Sequence, residues 1–588
     1  KARVNVGVIH PVESYWMFMG PDSVNAGRRQ ELEAHFADLT EWLLFGLCDF
    51  DFISESLLPE QFGGAQDGRL RVGKMEYQAV IVPGLVTMRS TTFEILKTFK
   101  EQGGTVIFIG QVPEYKDGSE DEEAARFTKT CRKVGFDRFE VIRAVKPFCE
   151  IEVLNERHLP EERIISQMRD DGKERWLFLA NGRINNAMET ENLGRQVSDK
   201  KISIRIKGRF RAHFYNTMTG DISQAETIWE GGNTRIDTYF YDQDSLLFRL
   251  VPADSKEIPE EIIRGESLKR LPARELMERG RCVRLPVSCE YSLDEPNVFL
   301  LDMAEYRVDK KEWRAREEIL RIDSRVRQQA GYKLRTDSFL QPWLDKGPQI
   351  KEHLVELLFE VESETDVEEV LLAFEGDEDV TVEWNGESGK EKQNRGRYLD
   401  DSIRLISLGN VKKGRNPLKI TVPFGSGTNL EWCYLLGNFC VWTGGGRSVI
   451  MEKTKRIGFG DYTCQGFPFY GGNFSYLIKT DTPKGRGILE IPNYRGALMD
   501  IWVDGERKDP VFMEPFRTDM GELKEGTHEI RILLYGTRIN MFGQLHNCDE
   551  KEAYWGPKTW RTEGKSWTYT HRLHENGILT EPLLYIIE

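Results

Sequence analysis

The sequence predicts a multidomain protein in which an open α/β sheet is followed by mostly β sandwiches. Three observations carry this prediction. Residues 1–148 alternate Val/Ile runs with helical stretches, residues 149–252 hold short strands separated by turn residues, and one strand–turn–strand pattern occurs twice in the last third. A length of 588 residues is enough for about three to five domains.

In the first segment, residues 1–148, strands and helices alternate as they do in a doubly wound sheet. Apolar runs occur at 4–9 (VNVGVI), 79–84 (AVIVPG) and 103–110 (GGTVIFIG), with helical stretches between them. Near-continuous Val/Ile runs that end in glycine are typical of central parallel strands. The expectation is an open α/β domain of the flavodoxin type.

The next segment, residues 149–252, changes to antiparallel character. WLFLAN (176–181), KISIRI (201–206) and TYFY (238–241) read as short strands of a small antiparallel β-sandwich. The charged stretch 253–280 reads as a connector that is helical in part.

A repeated hairpin pattern marks the last third. One copy reads VTVEWNGE around Asn385-Gly386, and the other reads MDIWVDGE around Asp504-Gly505. An alternating strand follows each copy, at 418–422 and 530–534. A strand, an Asn-Gly or Asp-Gly turn and a second strand are a β-hairpin signal, and a repeat at this scale indicates one structural unit used twice. We expect two jelly-roll sandwiches, at 281–450 and 451–588, a shape that often holds sugars.

Composition narrows the range of partners. The net charge of −15 argues against broad attraction to nucleic acid or to an anionic membrane. No apolar run approaches the roughly 18 residues that a membrane span needs. The nine cysteines are odd in number and include no C-x-x-C, so we expect reduced thiols and a cytoplasmic protein. Secretion stays open if a signal preceded Lys1.

The loop after the first strand is the first candidate site. It carries His10, Glu13 and Trp16 at the carboxyl end of a central strand, where ligands bind in such sheets. We expect these residues to contact carbohydrate. The alternative is that Trp16 packs against a neighbouring domain and His10 caps a turn. No phosphate-binding loop and no nucleophile elbow follows the strands at 79–84 and 103–110.

A second set of candidates lies near the end of the chain. Tyr470, Asn540 and His546 combine an aromatic face with amide and imidazole donors and could grip a sugar or serve interdomain packing. Glu431 beside Trp432 could have a raised pKa, the alternative being an ion pair with Arg or Lys. The acidic run 377–379 could bind a structural calcium ion or form a solvated turn. No His/Cys grouping has zinc spacing, so no metal site is predicted.

Several stretches resemble the region that follows the catalytic barrel in large glycoside hydrolases of the family-106 α-L-rhamnosidase type. The stretch from VIHPVESYW to GGTVIFIG is similar to their amidotransferase-like domain and to the trimerisation domain of family-42 β-galactosidases. VEWNGE and WVDGERK resemble the hairpin of family-2 sugar-binding, galactose-binding-like domains, and RINMFGQLH is similar to a motif near the end of the last jelly roll. No position matches the family's catalytic carboxylates, which lie on a (β/α)₈ barrel.

The resemblance implies an accessory C-terminal region of a glycoside hydrolase acting on plant or bacterial glycans. Its partners would be a carbohydrate and an upstream catalytic barrel of the same polypeptide, with no cofactor; a homo-oligomer stays open. The alternatives are a free-standing carbohydrate-binding or scaffold protein and an independent hydrolase with its site near His10 and Glu13.

Overall fold

The computed structural model describes residues 1–182, 200–218, 220–241, 244–254, 270–336, 350–388, 394–549 and 556–587. Strands outnumber helices throughout, as the sequence predicts. Two compact units are present, one made of Lys1–Glu275 with Met513–Pro515 and the other of Leu276–Phe512 with Phe516–Glu588. None of the helices in the described ranges combines the length and apolarity that crossing a membrane requires.

The first unit begins with a five-stranded parallel sheet, which confirms the predicted α/β domain. In spatial order its strands are Arg132–Val134, Thr105–Ile109, Ala79–Val82, Val6–Ile9 and Phe50–Ile53. Numbered along the chain, this order is 5-4-3-1-2, the flavodoxin-like arrangement. The runs Val6–Ile9 and Ala79–Val82 are buried along their whole length because helices cover both faces of such a sheet.

Helices connect these strands. They are Val12–Trp16, Asp22–Phe45, Leu58–Gln61, Ser90–Glu101, Glu122–Thr130 and Arg138–Val145. The helix Ser90–Glu101 shows why the local sequence folds this way: Phe93, Leu96 and Phe99 recur at helical spacing and are all buried. Two small sheets join the domain, formed by Phe62–Gln66, Arg69–Val72 and Met75–Tyr77, and by Ser119–Glu120, Tyr115–Lys116 and Thr87–Met88.

The small antiparallel sandwich follows within the same unit. One sheet consists of Ile151–Asn155, Lys200–Lys207, Asn233–Phe240 and Ile228–Glu230. The other consists of Ile164–Asp170, Arg175–Asn181, Ser245–Pro252, Phe210–Tyr215 and Ile222–Gln224. Inward residues of both sheets, such as Ile204 and Leu177, share one core. Most of the predicted connector 253–280 lies outside the described residues, and its end forms the helix Ala273–Arg279.

The second unit contains two sandwiches, one inserted into the other. The inserted sandwich covers 297–451. One of its sheets consists of Asn297–Leu301, Cys433–Gly437, Val367–Glu375, Asp400–Val411 and Asn394–Tyr398. The other consists of Arg314–Glu318, Met303–Val308, His353–Ser363, Gly414–Phe424, Thr381–Trp384 and Glu387–Ser388, with Arg447–Met451 and Cys440–Gly444 beside it. The helix Ile319–Ala330 is capped at its amino end by Glu318, whose side chain accepts hydrogen bonds from the backbone N–H groups of Leu320 and Arg321.

The split sandwich is built from 280–293 and 457–587. One sheet consists of Gly280–Arg284, Leu583–Ile587, Gly485–Glu490 and Arg517–Leu523. The other consists of Ile457–Gly458, Ser288–Leu293, Phe474–Thr482, Gly526–Leu534, Met499–Val503 and Glu506–Arg507. Residues 281–293 were grouped with the 281–450 sandwich by sequence; their strands pair with those of the later segment.

The segment between the last sheet strands of the split sandwich is mostly irregular. It contains the short helix Ile539–Phe542, the 3₁₀ turns Pro557–Trp560 and Gly564–Ser566, and the strand Gly577–Ile578, which pairs with Tyr494–Arg495. A further 3₁₀ turn, Tyr462–Gln465, precedes the strand Phe474–Thr482. This irregular segment carries the candidates Asn540 and His546.

Candidate functional site

A cleft opens where the chain order of the parallel sheet reverses. It lies at the carboxyl ends of Val6–Ile9 and Ala79–Val82 and has a volume of about 510 Å³. Ligands of open α/β sheets bind at this switch point. Its lining comes from the short helix after the first strand, the segment after the third strand and the turn at 117–118: Glu13, Trp16, Met17, Thr87, Met88, Arg89, Ser90, Thr91, Asp117 and Gly118.

The polar groups of the cleft are fixed by a buried serine and an ion pair. Ser14 Oγ accepts hydrogen bonds from the backbone N–H groups of Val86 (3.0 Å) and Thr87 (3.1 Å), and lies 3.1 Å from the Thr87 carbonyl, to which it donates. This ties the short helix to the opposite wall. On the same helix Glu13 Oε1 accepts from Arg89 Nε at 2.6 Å. Because both partners are held, the cleft presents a carboxylate and a guanidinium in a fixed arrangement.

Apolar surface lies beside that pair. The Trp16 side chain is 58% exposed and Met17 is 41% exposed, although both lie on the wall of the cleft. Behind Arg89, the carboxylate of Glu55 accepts a hydrogen bond from the Arg89 backbone N–H at 2.8 Å. Burial raises the pKa of Glu55 to about 7. Large exposed rings next to fixed polar groups are typical of a ligand surface.

His10 does not join this cleft. Its ring contacts Phe36 and Phe52, at centroid distances of 5.1 and 5.9 Å, and its backbone N–H donates to the Ile53 carbonyl. Of the three residues predicted in this loop, Glu13 and Trp16 therefore share a cavity, whereas His10 packs against aromatic rings on another side.

Two other predicted residues are engaged inside the second unit. Tyr470 is 2% exposed, donates its hydroxyl to the Asn473 carbonyl at 2.8 Å and packs edge-on against Phe474. Asn540 is 1% exposed, and its amide group both donates to the His574 carbonyl (2.7 Å) and accepts from the His574 N–H (2.8 Å). Both side chains hold segments of the fold together.

The third predicted residue of this unit, His546, belongs to a buried cluster. Its Nε2 lies 2.8 Å from Asp302 Oδ2, and Nε2 of His571 lies 2.6 Å from the same oxygen. Asp302 and His546 are 3% and 2% exposed. Burial disfavours the charged form of Asp302, yet the two imidazoles hold its pKa well below the usual range. The pKa of His546 is raised: burial opposes the charge, but Asp302 more than offsets this effect.

Two carboxyl groups of the inserted sandwich have raised pKa values. Glu318 accepts a hydrogen bond from Trp432 Nε1 at 2.6 Å, and burial raises its pKa to about 7. Burial also raises the pKa of Glu431 to about 8, although the positive charge of Arg561 acts in the opposite direction. Within the described ranges no ion pair joins Glu431 to an Arg or Lys. The direction of this shift agrees with the suggested raised pKa of Glu431, and the suggested ion pair is not found within those ranges.

The acidic run 377–379 has a lysine at its centre. Lys351 Nζ lies 2.6 Å from Asp377 Oδ2 and 2.8 Å from Asp379 Oδ2. An ammonium group therefore binds two of the carboxylates expected as calcium ligands, those of Asp377 and Asp379.

Sequence reasoning missed Asp302, His571 and Arg89. Asp302 is separated from His546 by 244 positions and from His571 by 269, so no local spacing signals the cluster. Arg89 is 76 positions from Glu13. The only available signal for Arg89 was its place shortly after a central strand, at the same sheet edge as Glu13.

Solved structures align with parts of the chain at low sequence identity. Neither a protein-family model nor a curated protein sequence matches it. A rhamnosidase from Novosphingobium sp. PP1Y aligns over 91% of this chain and 36% of its own, at 11% identity and a TM-score of 0.41. An apo exo-carrageenase of family GH42 from Bacteroides ovatus aligns over 42% of this chain and 29% of its own (13% identity, TM-score 0.27). Gan42B, a GH42 β-galactosidase from G. stearothermophilus, aligns over 42% and 40% (10% identity, TM-score 0.28).

Proposed function

We propose that this chain is a carbohydrate-contacting, non-catalytic region of a glycoside hydrolase, and that the cleft at Glu13, Trp16 and Arg89 makes the contact. The observation that carries the proposal is the exposed indole of Trp16 beside the fixed Glu13–Arg89 pair. A sugar ring has an apolar face that stacks on an aromatic side chain and hydroxyl groups that bind charged partners.

The chemistry of the pair suits a polyhydroxylated ligand. A carboxylate only accepts hydrogen bonds and a guanidinium only donates them, so adjacent hydroxyl groups can bind both partners at once. The mutual hydrogen bond between Glu13 and Arg89 orients both groups before the ligand arrives, which lowers the entropy lost on binding.

The order of the domains supports the hydrolase part of the proposal. An open α/β domain, a small sandwich and the duplicated hairpin units follow one another as in the family-106 resemblance described above. The chain spans 36% of the length of the rhamnosidase. The proposal includes a catalytic barrel in the same polypeptide, as the resemblance implies. The support function is to shape the substrate cleft of that barrel.

Isothermal titration with a panel of oligosaccharides tests the cleft. The wild-type chain should bind at least one member of the panel, and Trp16→Ala should weaken that binding at least tenfold, or about 1.4 kcal/mol. Trp442→Ala is the matched control, because this indole is similarly exposed, at 52%, but lies in the second unit. Its affinity should equal that of the wild type.

Two results would overturn the proposal. One is that the folded wild-type chain binds no member of the panel; the other is that Trp16→Ala binds as the wild type does. If the chain is instead a free-standing carbohydrate-binding protein, a different result is expected. A catalytic barrel joined to the amino end of the wild-type chain and the same barrel joined to the Trp16→Ala chain would then have equal glycosidase activity.

A further inference from the structure

We infer that Asp302, His546 and His571 form a binding site for one divalent transition-metal ion of the zinc type. The ligand atoms are Asp302 Oδ2 and Nε2 of both histidines, and the three lie within 4.8 Å of one another. Two imidazoles and one carboxylate are a donor set that suits zinc and related ions. No local sequence motif indicates the site, because the three residues come from distant parts of the sequence.

The hydrogen bond on the far side of the His546 ring fixes its tautomer. Nδ1 lies 2.8 Å from the carbonyl oxygen of Thr568, which only accepts, so Nδ1 carries the proton. In neutral His546 the lone pair of Nε2 then points at the carboxylate of Asp302. Two acceptors facing each other at this distance repel, and either a proton on Nε2 or a metal cation bound by both groups removes the repulsion. A backbone carbonyl on Nδ1 is the usual support of a histidine that binds a metal through Nε2.

The hydrogen-bond partners of the His571 ring can be assigned in the same way. The hydroxyl of Thr443 donates to the Arg447 carbonyl (3.3 Å) and accepts from Ser448 Oγ (2.9 Å). With its proton directed at Arg447, this hydroxyl can accept a hydrogen bond from His571 Nδ1, which lies 3.3 Å away. In the neutral ring, Nε2 of His571 again directs a lone pair at Asp302 Oδ2. Both histidines are thus oriented as metal ligands around one carboxylate.

The surroundings shelter the three groups. The Trp567 ring stacks on His546 at 4.8 Å, Trp432 meets it edge-on at 5.9 Å, and Phe469 meets His571 edge-on at 5.1 Å. Zinc bonds of about 2.0–2.2 Å would require each ring to withdraw from Asp302 by about half an ångström. A water molecule would supply the fourth ligand of a tetrahedral site.

The positions of the three ligands in the fold would make the ion a bridge between two segments of the second unit. Asp302 lies between the strands Asn297–Leu301 and Met303–Val308 of the inserted sandwich. His546 and His571 lie on the irregular segment of the split sandwich. One ion would fasten that segment to the neighbouring sandwich.

Cobalt(II) is the probe, since its visible absorption reports both the number and the geometry of its ligands. The complete chain, treated with a chelator and then dialysed, is titrated with Co²⁺ and afterwards with Zn²⁺. We expect one equivalent to bind with the intense bands of a four-coordinate site, and Zn²⁺ to displace it. His571→Gln should weaken binding at least about 100-fold.

His528→Gln is the matched control. His528 Nδ1 lies 2.6 Å from Asp504 and its Nε2 lies 2.9 Å from the Lys524 carbonyl, so this pair offers only one imidazole. Its replacement should leave Co²⁺ binding unchanged. The inference is overturned if the folded wild-type chain takes up no Co²⁺ or Zn²⁺, or if the His571→Gln chain, with an unchanged circular dichroism spectrum, binds as tightly as the wild type. Nitrogen NMR shifts that show both rings doubly protonated at neutral pH in the presence of Zn²⁺ would also overturn it.

Discussion

Asn385 and Asp504 adopt the same left-handed backbone conformation, with φ angles of 52° and 50°. Each is followed by a glycine at φ 80° (Gly386) or 83° (Gly505). Two successive positive φ values define the hairpin turn whose twist matches that of its strands. The strand before each turn pairs with a later strand in the same way, Thr381–Trp384 with Gly414–Phe424 and Met499–Val503 with Gly526–Leu534. The repeat in the sequence is therefore a repeat of structure.

Because the two turns are equivalent, replacing their glycines should have equal effects. We expect Gly386→Ala and Gly505→Ala each to lower the free energy of unfolding of the second unit by about 1–2 kcal/mol, since a Cβ disfavours positive φ. Urea unfolding followed by fluorescence measures the change. Gly27→Ala, within the helix Asp22–Phe45 and with open space around it, should instead stabilise the first unit by up to about 1 kcal/mol. Unequal effects at the two turns would contradict their equivalence.

A buried ion pair in the inserted sandwich should be costly to break. Arg327 is 1% exposed, and its Nε donates to Asp323 Oδ2 at 2.9 Å. Arg327→Leu leaves the Asp323 carboxylate buried without its main partner, so we expect a loss of about 3–5 kcal/mol in the free energy of unfolding. The control is Arg415→Leu, which breaks a pair with Glu360 at the surface and should cost under about 1 kcal/mol. Similar losses of unfolding free energy in Arg327→Leu and Arg415→Leu would contradict the expected difference between the buried and the exposed ion pair.

The raised pKa of Glu431 predicts a pH-dependent stability. Folding raises this pKa from 4.5 to about 8, so the folded state favours the protonated carboxyl. Stability from this group is complete below about pH 4.5 and is lost as the pH rises through 8. Glu431→Gln cannot ionise, and we expect its melting temperature to fall less than that of the wild type between pH 5 and pH 8.

Thermal unfolding at several pH values gives the difference in melting temperature between the wild type and Glu431→Gln. The contributions of the other titrating groups are common to both proteins and cancel in this difference. Glu360→Gln, an exposed carboxyl in the same sandwich, should parallel the wild type across this range. If the Glu431→Gln difference stays constant with pH, Glu431 is ionised in the folded state and the assignment is wrong.

Local patterns were sufficient to predict much of the fold. The parallel strands Val6–Ile9 and Ala79–Val82 are short, continuous apolar runs, and the turn residues at 385 and 504 identify their hairpins. The insertion of one sandwich into the other could not be predicted, because Ser288–Leu293 pairs with Phe474–Thr482 across an intervening 180 or so residues that form their own sheets.

For the candidate sites too, local sequence patterns predicted some placements and not others. Glu13 and Trp16 line one cleft, and the sequence indicates this because both follow the end of a central strand closely. His10 satisfies that rule equally well, but its ring contacts Phe36 and Phe52 instead, and this placement depends on tertiary packing. The partners of His546 depend on how the inserted sandwich meets the irregular segment, which no spacing in the sequence encodes.

Turnover of aryl glycosides by the complete 588-residue chain tests the central claim, a non-catalytic role, most directly. The panel includes an α-L-rhamnoside and a β-D-galactoside. We expect a folded sample to hydrolyse none of them, and activity to appear when an upstream barrel is supplied. Turnover by the chain alone that disappears in Glu13→Gln would contradict the proposal and place an active site in the cleft beside Arg89.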